Sequence, residues 1–223
     1  MTYAHDSFQQ KCLPTYLVID VSSSMQPYQA ILNRTLEKLH AELVGSPRVS
    51  EFAQISIIAF STTPWVVIDM TDLESVPVMP EVTCQGRTSY GEAFVLTRQC
   101  IDRDLPALRA QGLATFRPAV FFITDGAPTD PGWEAAFDRL VDPAWPRHPH
   151  VIAYGCGEAV EPVLARIGTR AAFTADGGIG QDEALASAIS SLVNSLVASA
   201  RAEELRIPEQ VPGYRTVKQE YVD

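Results

Sequence analysis

Three observations predict an α/β fold: a doubly wound, mostly parallel sheet of about six strands, one antiparallel edge strand, and helices on both faces. Short apolar segments alternate with amphipathic stretches of helical period over about 190 residues. Several of those segments are apolar at nearly every position, the pattern of strands buried on both faces. Two of them are separated only by "STTP", so they read as a hairpin, which makes one strand antiparallel.

Taken in order, the first strand is "TYLVID", 15–20. Leu32, Leu36, Leu39 and Leu43 follow at i, i+4, i+7 and i+11, one face of a helix that begins near Pro27 and ends before Gly45. The hairpin strands are "QISIIAF", 54–60, and "WVVIDM", 65–70. Phe94, Thr97, Ile101, Leu105 and Leu108 line a second helix, and "AVFFITD", 119–125, is the next strand. "DPGWEAAFDRL" starts a third helix, with Asp130 as its N-cap and Pro131 at its first position. The strand "VIAYGCG", 151–157, precedes a short helix in "VEPVLARIG" and a weaker strand, "AAFTAD", 171–176. A long helix over 183–201 carries Leu185, Ile189, Leu192 and Leu196 on one side. No repeat or internal linker divides the chain. The expected organisation is an N-terminal arm, 1–12, one domain, 13–201, and a loosely attached tail, 202–223, that mixes charge with Pro208 and Pro212.

Composition narrows the function. At 223 residues the chain is the size of one large domain, and 46% hydrophobic with 20% charged residues is enough apolar material for a core. The net charge is −10 and lysine occurs only at Lys11, Lys38 and Lys218, so nucleic acid is not an expected partner. The first residues have no apolar core or cleavage site, and no apolar run approaches the ~20 residues that span a bilayer, so neither a signal peptide nor membrane insertion is expected. Cys12, Cys84, Cys100 and Cys156 are scattered without a CxxC pair and read as reduced, buried thiols of a cytoplasmic protein. His148 and His150 flank Pro149 and read as solvated rather than as metal ligands.

In an open parallel sheet, ligands bind where strand C-termini meet helix N-termini. Those positions hold Asp20, Ser22 and Ser24 after the first strand, and Asp125, Gly126, Thr129 and Asp130 after the fourth. Thr88 and Ser89, in "GRTSYGEAF", open the second helix. Two carboxylates with several hydroxyls, all oxygen, suit a hard divalent cation: Mg2+ first, with Mn2+ or Ca2+ as alternatives. Two aspartates balance one such ion and leave it electrophilic, with room for an anionic oxygen from another molecule. Taken singly, Ser24 is also readable as a helix cap, and Ser89 with Glu92 as a capping box. Asp130 is assigned to the cap outright.

With those residues in view, the chain resembles the von Willebrand factor A (vWA) domain, a Rossmann-like fold. "DVSSSM" matches the DxSxS element of that family's metal-ion-dependent adhesion site (MIDAS), "TDG" at 124–126 its fourth-strand aspartate, and "GRTSYGEAF" its threonine loop. The likeness extends over roughly 13–200. "LPTYLVIDVSSSM", "GRTSYGEAF" and "AVFFITDGAPTDPGWEAAF" look most like the bacterial tellurium-resistance TerY group. The resemblance implies that Ser22 and Ser24 ligate the metal directly. Asp20 and Asp125 would bind it directly or through water and orient the hydroxyls, and Thr88 would ligate it when a partner is bound. Ser23, Met25, Arg87, Ser89 and Gly126 would then belong to partner-binding loops. Ser23 stands where the motif often has Gly, a change of loop stiffness rather than of ligands. The implied function is non-enzymatic: a scaffold binding an acidic side chain of a partner, with a protein kinase and a PP2C-type phosphatase as expected partners.

The rival expectation is a Mg2+-dependent haloacid-dehalogenase-like phosphohydrolase with Asp20 as nucleophile, Ser61 or Thr62 as phosphate binder, and Asp125 with Asp130 as metal ligands. Against it, Ser22 stands where the general acid would be, and no lysine occurs between Lys38 and Lys218.

Overall fold

A computed structural model describes residues 9–220. The described residues form an eight-stranded sheet. Its strands are β1 (Lys11–Asp20), β2 (Ala53–Phe60), β3 (Trp65–Thr71), β4 (Ala114–Thr115), β5 (Ala119–Thr124), β6 (His150–Gly155), β7 (Ala171–Ala175) and β8 (Tyr214–Thr216). The order across the sheet is β3-β2-β1-β5-β6-β7-β8, with β4 attached beside β1. Pairing is parallel except at the two edges, where β3 runs antiparallel to β2 and β8 antiparallel to β7. The predicted class is therefore observed, with more strands than the six expected. β4 and β8 are two and three residues long, too short to carry a period-2 signal.

Among the described residues, six α-helices cover the two faces: α1 (Gln29–Val44), α2 (Pro47–Phe52), α3 (Tyr90–Ala110), α4 (Trp133–Val141), α5 (Glu161–Ile167) and α6 (Gln181–Ala202). Side chains alternate along each strand, and so build two cores. Leu13, Leu17 and Ile19 of β1, with Phe121 and Ile123 of β5, pack under α1, α2 and α6. Tyr16 and Val18 of β1, with Val120 and Phe122 of β5, pack under α3, α4 and α5. By length and composition α6 could cross a bilayer. Instead, Leu185, Ile189, Leu192 and Leu196 bury its apolar side in the first of these cores.

Two local expectations change. α4 starts at Trp133, after Gly132 in the left-handed region (φ 77°), so Asp130 and Pro131 precede the helix and Asp130 does not cap it. His148 is half-buried with Nδ1 2.8 Å from the Trp145 carbonyl, and His150 opens β6, so neither ring lies free in a solvated loop. All four cysteines are free and buried, as expected.

The tail also differs from expectation. Most of the N-terminal arm, 1–8, lies outside the described residues, whereas Lys11 and Cys12 already belong to β1. At the other end, β8 extends the sheet and Val211, Tyr214 and Val217 are buried. Tyr214 donates to the Ala184 carbonyl at 3.0 Å and meets Tyr154 edge-on at 5.9 Å. Pro208 and Pro212 disguise a short edge strand as a loose tail. Val217→Ala is accordingly expected to cost about 2 kcal/mol in urea unfolding. A loosely attached tail would leave the midpoint where it was.

Candidate metal centre

β1 and β5 are neighbours from which the chain winds outward in opposite directions, so a crevice opens at their C-terminal ends. Asp20 is the last residue of β1 and Asp125 the first after β5. Strand pairing thus brings the two predicted carboxylates together. The turn leaving β1 runs into a 3-10 helix, Ser23–Tyr28.

Asp20 is fully buried. Its Oδ1 accepts the Ser22 backbone N–H at 2.9 Å, and its Oδ2 accepts the Thr124 hydroxyl at 2.8 Å. The Ser22 and Ser24 hydroxyls lie 3.0 Å apart, and Ser24 donates to Asp125 Oδ1 at 2.8 Å. Asp125 Oδ2 accepts from Gln181 Nε2 at 2.8 Å. A continuous row of oxygens, Ser22–Ser24–Asp125, therefore lies beside Asp20.

Burial dominates the electrostatics. It raises the Asp20 carboxyl from 3.8 to about 6; the Ser22 and Thr124 hydrogen bonds hold it down and the Asp125 charge adds to the rise. Asp125 is raised too, chiefly by burial, with Ser24 and Gln181 opposing. Burial, reinforced by these two aspartates, pushes the Cys84 and Cys156 thiols up to about 12, so both are protonated in the metal-free protein.

The threonine loop is fastened from three sides. Gln85 N–H donates to the Val21 carbonyl at 2.8 Å and Ser23 N–H to the Gly86 carbonyl at 3.0 Å, which joins the loop to the DxSxS turn. Arg87 N–H donates to Thr62 Oγ1 at 2.9 Å and Ser89 N–H to the Ser61 carbonyl at 3.2 Å. Gly86 has φ 83°, and a Cβ there would stand 2.6 Å from Thr62 Oγ1, so only glycine fits this approach. Thr129 clasps the Thr88 carbonyl through both its N–H, at 2.9 Å, and its hydroxyl, at 3.1 Å. Thr88 is buried near Gly126, and its own hydroxyl makes no hydrogen bond among the described residues.

Asp130 caps a helix, but not its own. Its Oδ1 accepts Tyr90 N–H at 2.8 Å and its Oδ2 accepts Gly91 N–H at 2.7 Å, the first amides of α3. Ser89 occupies the N-cap position of α3 without a side-chain capping bond, so the alternative reading of a Ser89–Glu92 box does not hold. The residues of the phosphohydrolase alternative are engaged likewise: Asp130 holds α3, and Ser61 and Thr62 hold the threonine loop.

Of the residues expected in partner-binding loops, Ser23 and Arg87 are exposed and Gly126 is half-buried. Met25 and Ser89 are buried: Met25 fills the core beneath the 3-10 helix, and Ser89 lies under the β2–β3 turn. Pattern reading missed three site residues. Tyr90 donates its O–H toward Thr124 Oγ1 and the Gly126 carbonyl, both at 2.9 Å; Thr124 supports Asp20; Gln181 supports Asp125. Only Gln181 gave a usable hint, a polar residue at the start of a helix at the same end of the sheet.

Among the described residues, no group of three or more His, Cys, Asp and Glu is gathered to hold a metal. The candidate donors are two carboxylates and hydroxyls, the set a hard cation prefers. Adjacent oxygens around Mg2+ stand about 3 Å apart, because each lies about 2.1 Å from the ion. The 3.0 and 2.8 Å separations along Ser22, Ser24 and Asp125 match that spacing, so the donor set fits.

No protein-family profile matches the chain, and no curated protein sequence does. Its fold is that of vWA domains. Von Willebrand factor type A from Catenulispora acidiphila is 16% identical at a TM-score of 0.58, over 83% of this chain and 43% of that one. The ArnB paralog VWA2 from Sulfolobus acidocaldarius is 18% identical at 0.51, over 83% and 45%. Proximal thread matrix protein 1 from the mussel byssus is 20% identical at 0.59, over 84% and 48%; another structure of that protein has a zinc-occupied MIDAS motif. The chain spans less than half the length of these solved chains.

Proposed function

We propose that this chain is a metal-dependent protein-binding module, a MIDAS-type site that recognises an acidic side chain of a partner. The observation that carries the reading is the convergence of Asp20 and Asp125 with the Ser22–Ser24 hydroxyl row at the switch point of the sheet. Asp20, Ser22, Ser24 and Asp125 would hold the cation, with Thr88 joining when a partner is engaged. Mg2+ is the proposed ion, and the zinc-occupied motif of the mussel protein supports a divalent cation in such a setting. Bound, the ion supplies a positive centre that attracts a carboxylate. Ser23 and Arg87 are exposed in the loops that carry the site, and among the described residues Arg87 is the sole basic residue in the loops at this end of the sheet.

The finer reading rests on the motif resemblance. We place the chain with TerY-like scaffolds of a cytoplasmic bacterial stress or tellurium-resistance system, with a protein kinase and a PP2C-type phosphatase as partners and no catalytic step of its own.

The test is a thermal-shift titration of chelated protein with Mg2+, Mn2+ and Ca2+. A ligand that binds only the folded state stabilises it by about 2.7 kcal/mol at a hundredfold excess over Kd. Wild type is expected to show a saturating rise that Asp125→Ala loses, and a Mg2+-dependent pull-down from the native host is expected to lose its kinase and phosphatase with the same substitution. A pull-down identical with and without chelator would remove the metal from the binding step.

A further inference from the structure

We propose that Gln181 determines which cation the centre takes: by occupying one oxygen of Asp125 it limits that carboxylate to a single metal bond and so favours Mg2+ or Mn2+ over Ca2+. This inference rests on the metal-binding reading above.

The argument starts from the two oxygens of Asp125. Oδ1 faces the hydroxyl row and accepts from Ser24 at 2.8 Å, while Oδ2 accepts from Gln181 Nε2, also at 2.8 Å. One carboxylate oxygen thus belongs to the ligand row and the other to an amide from α6. Ca2+ takes six to eight oxygens and readily accepts a carboxylate through both, whereas Mg2+ demands near-octahedral geometry with about 2.1 Å bonds. A carboxylate pinned through its outer oxygen cannot turn to offer both.

The amide is itself held in place. Its nitrogen lies 3.8 Å from the sulfur of buried Met25. On the other side, a Cβ on Gly157 would stand 3.1 Å from both amide heavy atoms, so the glycine leaves just enough room for them. One turn along α6, buried Ala184 and Leu185 anchor the helix, and Tyr214 of β8 donates to the Ala184 carbonyl. Gln181 donates to the carboxylate of Asp125, so its role is to position a ligand.

The experiment measures Mg2+ and Ca2+ affinities by calorimetry for wild type, Gln181→Met and Gln181→Ala. Methionine keeps the bulk beside Met25 and removes the donor; alanine removes both. The ratio of Ca2+ to Mg2+ affinity is expected to rise about tenfold in both variants, the usual scale of a lost supporting hydrogen bond. An unchanged ratio, whether both affinities stay as in wild type or fall together, overturns the inference and leaves the metal centre standing. If wild type binds neither ion, the proposed function itself fails, and the inference with it.

Discussion

Asp20→Asn is expected to make the metal-free protein more stable at pH 7 while abolishing its stabilisation by Mg2+. Asp20 is fully buried, and burial raises its carboxyl from 3.8 to about 6. Between those values the folded state holds a proton that the unfolded state has released. The contribution of Asp20 to stability therefore falls as pH rises from about 4 to about 6, and its full cost is present at pH 7. That cost is about 3 kcal/mol. Asparagine carries no charge and keeps the essential contacts. Its amide oxygen accepts the Ser22 N–H, and the Thr124 hydroxyl can turn to the Gly126 carbonyl, 3.3 Å away. Urea unfolding in chelator should show a gain of roughly 1–3 kcal/mol at pH 7 that shrinks as the pH is lowered toward 4. With saturating Mg2+ the order should reverse, because only wild type gains the binding energy. If the asparagine variant is less stable than wild type in chelator at pH 7, the buried charge is not a cost relieved by a cation.

That trade explains why the carboxylate is legible in the sequence. Four apolar residues, 16–19, running straight into an aspartate conflict with the hydrophobic pattern of a core strand, and such conflicts concentrate at functional sites. Asp20, Ser22 and Ser24 lie within five residues, so one turn brings them together. Asp125 was placed by a fold-level rule, that neighbouring strand ends share a crevice. Gln181 is a helix-start amide and Thr124 a strand threonine, and it is the sheet order β1-β5-β6-β7 that sets Gln181 beside Asp125 and Thr124 beside Asp20. Asp130 misled for a related reason. An aspartate before proline and a helical pattern reads as a local cap, but Gly132 breaks the chain in between and frees its carboxylate for α3, forty residues earlier in sequence. Local propensity identified the residue as a cap and could not say of which helix.

The consequence is a substitution whose sign runs against helix propensity. Gly91→Ala, in the first turn of α3, would ordinarily stabilise a helix by about 1 kcal/mol. Here a Cβ on Gly91 would stand 2.6 Å from Asp130 Oδ2 and 3.3 Å from Trp133 Cα, so the methyl group displaces the carboxylate from the amides it caps. We expect Gly91→Ala to destabilise by about 2 kcal/mol and Asp130→Ala by about 2–3 kcal/mol, since two charge-assisted bonds at a helix N-terminus are lost. Because both remove the same cap, the double variant should cost little more than Asp130→Ala alone, a coupling that a double-mutant cycle in urea measures directly. Strict additivity would show that the cap is not the shared element. The same contact bears on the metal centre. Asp130 and Thr129 together fasten the α3 start and the Thr88 carbonyl to the loop that carries Asp125. Losing the cap loosens Thr88 while leaving Asp20 and Ser22 untouched. Asp130→Ala should therefore weaken Mg2+-dependent partner binding more than it weakens Mg2+ binding by the free protein, because Thr88 is the proposed ligand of the engaged state. Equal losses in both assays would place Thr88 in the resting site instead.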